Sequence, residues 1–105
     1  IWSLYINKNT ANTVTLGANT AVNGTFIINS GKLYAVNKVI TPSSDVTINS
    51  GGVLHLGMAT QLKMTNAKNI SIENGGTLKT EGTLADNATI TRNNTGFYFI
   101  SLLSD

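Results

Sequence analysis

Apolar and polar residues alternate with a period of two along several short stretches of this chain, and the alternation recurs. Phe26-Ile-Ile-Asn-Ser-Gly-Lys-Leu33, Val46-Thr-Ile-Asn-Ser-Gly-Gly-Val-Leu54 and Ile70-Ser-Ile-Glu-Asn-Gly-Gly-Thr-Leu78 each read as a strand, a polar corner with glycine, and a second strand. The corner glycines Gly31, Gly52 and Gly76 are 21 and 24 residues apart. A repeat of that length with two strands and no helix predicts one coil of a parallel β-solenoid.

The alternation also predicts which side chains face inward. Val46 and Ile48 point opposite to Thr47 and Asn49, Leu54 and Leu56 opposite to Val53 and His55, and Ile70, Ile72 and Leu78 opposite to Thr77 and Lys79. Strands of successive coils stack about 4.8 Å apart, so Ile28, Ile48 and Ile72 are expected to form one core column. Asn29 and Asn49 are expected to stack outside the corner, with Glu73 interrupting their ladder. Further strands are expected over residues 1–6, 13–16 and 88–91, and no stretch predicts a helix. Ala59 to Met64 fits weak helical spacing and strand alternation equally. Thr41 to Asp45, with the only proline, and Thr65 to Asn69 are expected to be polar connections. The predicted fold is all-β, a right-handed single-stranded parallel β-helix of about four to five coils, with an antiparallel β-sandwich as the alternative. Residues 1–12 are expected to form an N-terminal cap or edge, 13–96 the coils, and 97–105 a C-terminal cap or edge.

Composition fits one narrow-cored domain. The 105 residues include 14 Asn, 15 Thr, 8 Ser and 10 Gly, while charged residues are 11%. Small polar residues thus replace charge, which separates the chain from disordered sequences. Seven Lys and Arg are spread from Lys8 to Arg92, with Lys63 and Lys68 the nearest to a patch, so nucleic acid is not an expected partner. No apolar run approaches the length of a membrane span. Cysteine is absent, which excludes disulfides and thiolate metal sites. A processed or excised origin is expected from the start at Ile1, where no leader pattern is visible.

The strings "INSGGVL" and "IENGGTLKTEGTL" resemble repeats of right-handed parallel β-helices in bacterial surface and adhesin-like proteins. That resemblance implies an extracellular or cell-surface location, on a bacterial or phage exterior. It covers roughly Thr13 to Thr91 and carries a shape rather than a chemistry.

No residue cluster declares catalysis, and no cofactor or metal is expected. The interior acids Asp45, Glu73, Glu81 and Asp86 fall on separate strands, although Glu73 and Glu81 have room to converge on one coil face. His55 is expected to be an exposed surface residue without a metal or catalytic partner. Thr13, Thr15, Thr47, Thr77, Thr89 and Thr91 are expected to face outward, and a regular array of them would suit ice. Tyr34, with His55 and Lys79, is the candidate carbohydrate-binding face. The remaining aromatics lie near the chain ends, so Trp2, Leu4, Ile6, Phe97, Phe99 and Leu102 are the candidate interface. The expected function is a non-enzymatic structural or adhesive element of an extracellular fibre, stalk or surface adhesin. It would associate head to tail through its apolar ends, with itself or with neighbouring domains of a longer chain. The alternatives are an extracellular polysaccharide-binding module, an ice-binding protein, and a fragment of a polysaccharide-cleaving β-helix.

Overall fold

The computed structural model describes residues 2–9, 11–65, 67–83, 87–92 and 98–102, and within 98–102 only Ile100 is described beyond its backbone. Twelve strands and no helix occur among them: β1 Leu4–Asn7, β2 Thr13–Thr15, β3 Thr20–Val22, β4 Phe26–Ala35, β5 Val39–Pro42, β6 Val46–Ile48, β7 Gly52–Leu56, β8 Gln61–Met64, β9 Lys68–Ile72, β10 Thr77–Thr80, β11 Thr89–Arg92 and β12 Tyr98–Leu102. Every pairing among the described residues is parallel, so the chain is a parallel β-solenoid and not an antiparallel sandwich.

The coil has three faces. The first stacks β1, the start of β4, β6, β9 and β12; the second stacks β2, the end of β4, β7 and β10; the third stacks β3, β5, β8 and β11. Four strands on the third face make about three turns rather than the four to five coils that the repeats suggest. The difference arises because the coil that begins at Ile70 is long: Ile70 pairs with Ile100, 30 residues on, while Phe26 pairs with Val46 after only 20. The Ala59–Met64 ambiguity resolves to the strand β8. Pro42 is the buried last residue of β5, paired with Val22, rather than part of a loop.

Register explains the core. Phe26, Val46 and Ile70 form one inward column and Ile28, Ile48 and Ile72 the next, as the alternation requires. Leu33 over Leu54 and Ile40 over Leu62 supply the other two faces. These side chains are buried almost completely, because each lies between two coils; most stack on apolar residues, while Ile40 has Thr20 on one side and Leu62 on the other.

Corners are built from a recurring four-residue turn. Gly52 N–H donates to Asn49 O at 2.9 Å, Gly76 N–H to Glu73 O at 2.8 Å, and Thr60 N–H to Gly57 O at 3.2 Å. The third residue of each turn is left-handed, at φ 84° for Gly51, 89° for Gly75 and 60° for Ala59. This is the type II requirement, which favours glycine. The second glycine of each pair has a different task. A Cβ at Gly52 would lie 2.5 Å from Ile28 O, and one at Gly76 2.6 Å from Ile48 O. Those positions are glycine because the coil beneath leaves no room.

Beside the first corner, Asn49 Nδ2 donates to Asn29 Oδ1 and Asn29 Nδ2 to Asn7 Oδ1, both at 3.1 Å. The expected asparagine ladder therefore exists and extends one coil further, to Asn7.

Candidate functional site

The second face brings Tyr34, His55 and Lys79 into one column, because Tyr34 pairs with His55 and His55 with Lys79 on consecutive coils. All three point away from the core. Outward direction does not make His55 exposed: only 7% of its surface is accessible, against the expectation of a surface residue. The Tyr34 ring covers it from the preceding coil, with centroids 4.6 Å apart and planes tilted by 53°. Glu81, just beyond β10, closes the other side, its Oε1 2.9 Å from His55 Nε2. Nδ1 of the same ring is buried with no hydrogen-bond partner. With the proton on Nε2, the ring donates to Glu81 and leaves Nδ1 as a bare acceptor. A buried, half-satisfied imidazole of this kind is a wedge between coils, not an accessible group.

Glu81 is the member that the sequence reading left unconnected to His55. The signal was present in the repeat alignment: His55 and Lys79 are equivalent, so a residue two past Lys79 borders the histidine from the next coil. Its backbone is held too, since Glu81 N–H donates to Leu56 O at 3.0 Å.

Around the corner from Tyr34, Val36, Asn37, Met58 and Ala59 line an open cleft of about 250 Å³. Next to Met58, a Cβ at Gly57 would come within 3.0 Å of the Tyr34 phenol oxygen. Met58 is exposed, while Thr60 at the end of this corner is fully buried and donates its hydroxyl to Ala35 O at 3.0 Å.

The acids do not assemble into a pair. Glu73 and Glu81 stand at opposite ends of β10, and Asp45 Oδ1 accepts from Asn69 N–H at 2.8 Å. Asp86 lies outside the described residues. No group of three His, Asp or Glu able to hold a metal ion occurs among the described residues. The outward threonines form no continuous array: Lys32 and Val53 separate Thr13 from Thr77, and Ile27 and Ser71 flank Thr47.

Of the end residues, Trp2 is 76% accessible, Leu4 half-buried and Ile6 buried under Ile28. Phe99 and Leu102 pair by backbone with Asn69 and Ile72, and Phe97 lies outside the described residues. The structure thus places Trp2, Leu4 and Ile6 on the first coil and Phe99 and Leu102 on β12, at opposite ends of the stack. Ile100 continues the column of Phe26, Val46 and Ile70, yet is 49% accessible. Comparison with family models, with curated proteins and with solved structures returns no match.

Proposed function

We propose that this chain is a non-enzymatic structural or adhesive element of an extracellular assembly, such as a fibre, stalk or surface adhesin on a bacterial or phage exterior. Its β-solenoid supplies a stiff segment, and its end coils are completed by strands of like pattern, from further chain or from a neighbouring molecule. The observation that carries this reading is Ile100, an inward-register isoleucine half exposed directly above the fully buried Ile70. At the opposite end Leu4 and Val14 are half-buried, where Phe26 and Leu33 one coil further in are fully buried. Open solenoid ends present unpaired strand edges together with apolar core, and a like strand satisfies both.

Light scattering across a concentration series, with electron microscopy of the same sample, tests this reading. Assemblies larger than a monomer that Leu4→Asp disperses support it. A monomer at every concentration, with Leu4→Asp changing nothing, overturns association through that end.

A polysaccharide-binding module is the second reading, favoured by Tyr34 and Lys79 flanking His55 and by a separate open cleft of about 250 Å³ lined by Val36, Asn37, Met58 and Ala59. Aromatic faces next to polar groups suit sugar rings. Titration with bacterial and plant glycans, repeated on Tyr34→Ala, checks it.

A further inference from the structure

The chain holds two Asn-Gly dipeptides in described segments, Asn23-Gly24 and Asn74-Gly75, and both asparagines are exposed. Their surroundings differ at the one atom that matters for asparagine chemistry, the amide nitrogen of the following glycine. Gly24 N–H donates to Trp2 O, which ties that nitrogen to the first coil. Gly75 N–H makes no such bond: the turn is closed around it by Gly76 N–H to Glu73 O at 2.8 Å, and the Gly75 carbonyl is the group that is used, accepting from Gly51 N–H at 3.0 Å. Gly75 is also left-handed and lacks a side chain to shield its nitrogen. The Ser50 side chain of the coil beneath lies against the α-carbon of Gly75, where a Cβ would come within 2.5 Å of Ser50 Oγ.

From this difference the structure assigns Asn74 as a site of spontaneous covalent modification, conversion to aspartate and isoaspartate with water as co-reactant. The Gly75 nitrogen gives up its proton and bonds to Asn74 Cγ, the Cγ–Nδ2 bond breaks, and the amide leaves as ammonia carrying that proton. Water then opens the five-membered succinimide. Opening at Cγ restores the main chain as aspartate, and opening at the backbone carbonyl routes the chain through the side chain as isoaspartate. Either product places a carboxylate beside Glu73 and lowers the formal net charge by one from +2. The isoaspartyl product also lengthens the main chain inside the Glu73–Gly76 turn, which loosens the anchor of β10. In Asn23 the same attack first requires loss of the Gly24–Trp2 bond, and one net hydrogen bond slows a reaction about tenfold.

The test is peptide mapping with isoaspartate labelling of the full chain, held at mildly alkaline pH either folded or unfolded in urea. The expected result is conversion at Asn74 about tenfold faster than at Asn23 in the folded chain, with the ratio falling to about one in urea. Asn74→Ser, a change at an exposed turn position, should remove the dominant isoaspartate signal and leave the slow Asn23 signal. Three results overturn the assignment: equal or faster conversion at Asn23 in the folded chain, a ratio that survives unfolding, or an intact Asn74 over the time in which the unfolded chain converts.

Discussion

The third and fourth coils follow nearly the same pattern, yet they bury their inward residues to different extents. In the third, Ile48, Leu54, Leu56 and Leu62 have strands on both sides and are fully buried. In the fourth, Leu78 and Ile90 are half-buried, and the positions equivalent to Leu56 and Met64 are the exposed Thr80 and Arg92. A coil this narrow has no interior of its own. Its apolar residues are covered by the coils above and below, so burial is a property of neighbours.

The largest expected effect follows directly. Ile48→Ala should cost about 3–4 kcal/mol, since it opens a cavity between two covering coils. Ile90→Ala should cost only about 1 kcal/mol, because Ile90 is only partly buried and, among the described residues, has a covering strand on one side alone. Urea denaturation of both variants decides the point, and equal losses would break the comparison.

Next come the corner glycines. Gly52→Ala and Gly76→Ala drive a Cβ against equivalent carbonyls, of Ile28 and Ile48. Gly52 lies between two coils, so its variant should lose about 2–3 kcal/mol, against about 1–2 for Gly76, which has freedom to shift outward. Thermal unfolding should rank them in that order, with Gly17→Ala near wild type because nothing lies within 4 Å of its added carbon.

His55 joins the third coil to the fourth through Glu81 and to the second through Tyr34. His55→Ala should cost about 1–2 kcal/mol, from lost packing and an unpaired carboxylate. His55→Phe should recover most of that, since it keeps the ring contact and removes the unpartnered Nδ1. Chemical denaturation separates packing from the hydrogen bond: a phenylalanine variant as weak as alanine would assign the loss to Glu81.

The smallest effect is a gain. Glu73 stands where an asparagine would continue the ladder from Asn49, and its side chain lacks the amide N–H that the ladder uses. Glu73→Asn should add about 0.5–1 kcal/mol, one net hydrogen bond, and bring the fourth coil closer to the third. Amide exchange at residue 73 and at Gly76, whose N–H groups donate to Ile48 O and Glu73 O, would register it.

The parts legible in the sequence are those set by one strand and its equivalents in the neighbouring coils. Ile28, Ile48 and Ile72 share a column because the period of two and the repeat length both say so, and the stacking of Asn49 on Asn29 follows from the same alignment. The third face was only partly visible. Its strands are short, and Ala59–Met64 and Thr41–Asp45 carry turn-like residues that mask the alternation of β8 and β5. The burial of His55 was not legible from its own strand, because it is imposed by Tyr34 in one coil and Glu81 in another. The glycines were legible as corners, but which of each pair is left-handed depends on the turn closed by Asn49 and Gly52.

The asparagine ladder also gives the solenoid an axis with a sign. Each amide donates toward the N-terminal coil, from Asn49 to Asn29 and from Asn29 to Asn7, so three side-chain dipoles add head to tail. Bonds in such a chain polarise one another in the same direction. The column therefore turns its donor end outward at Asn7 and its acceptor end toward Glu73, and the two ends of the stack differ in potential before any charged residue is counted.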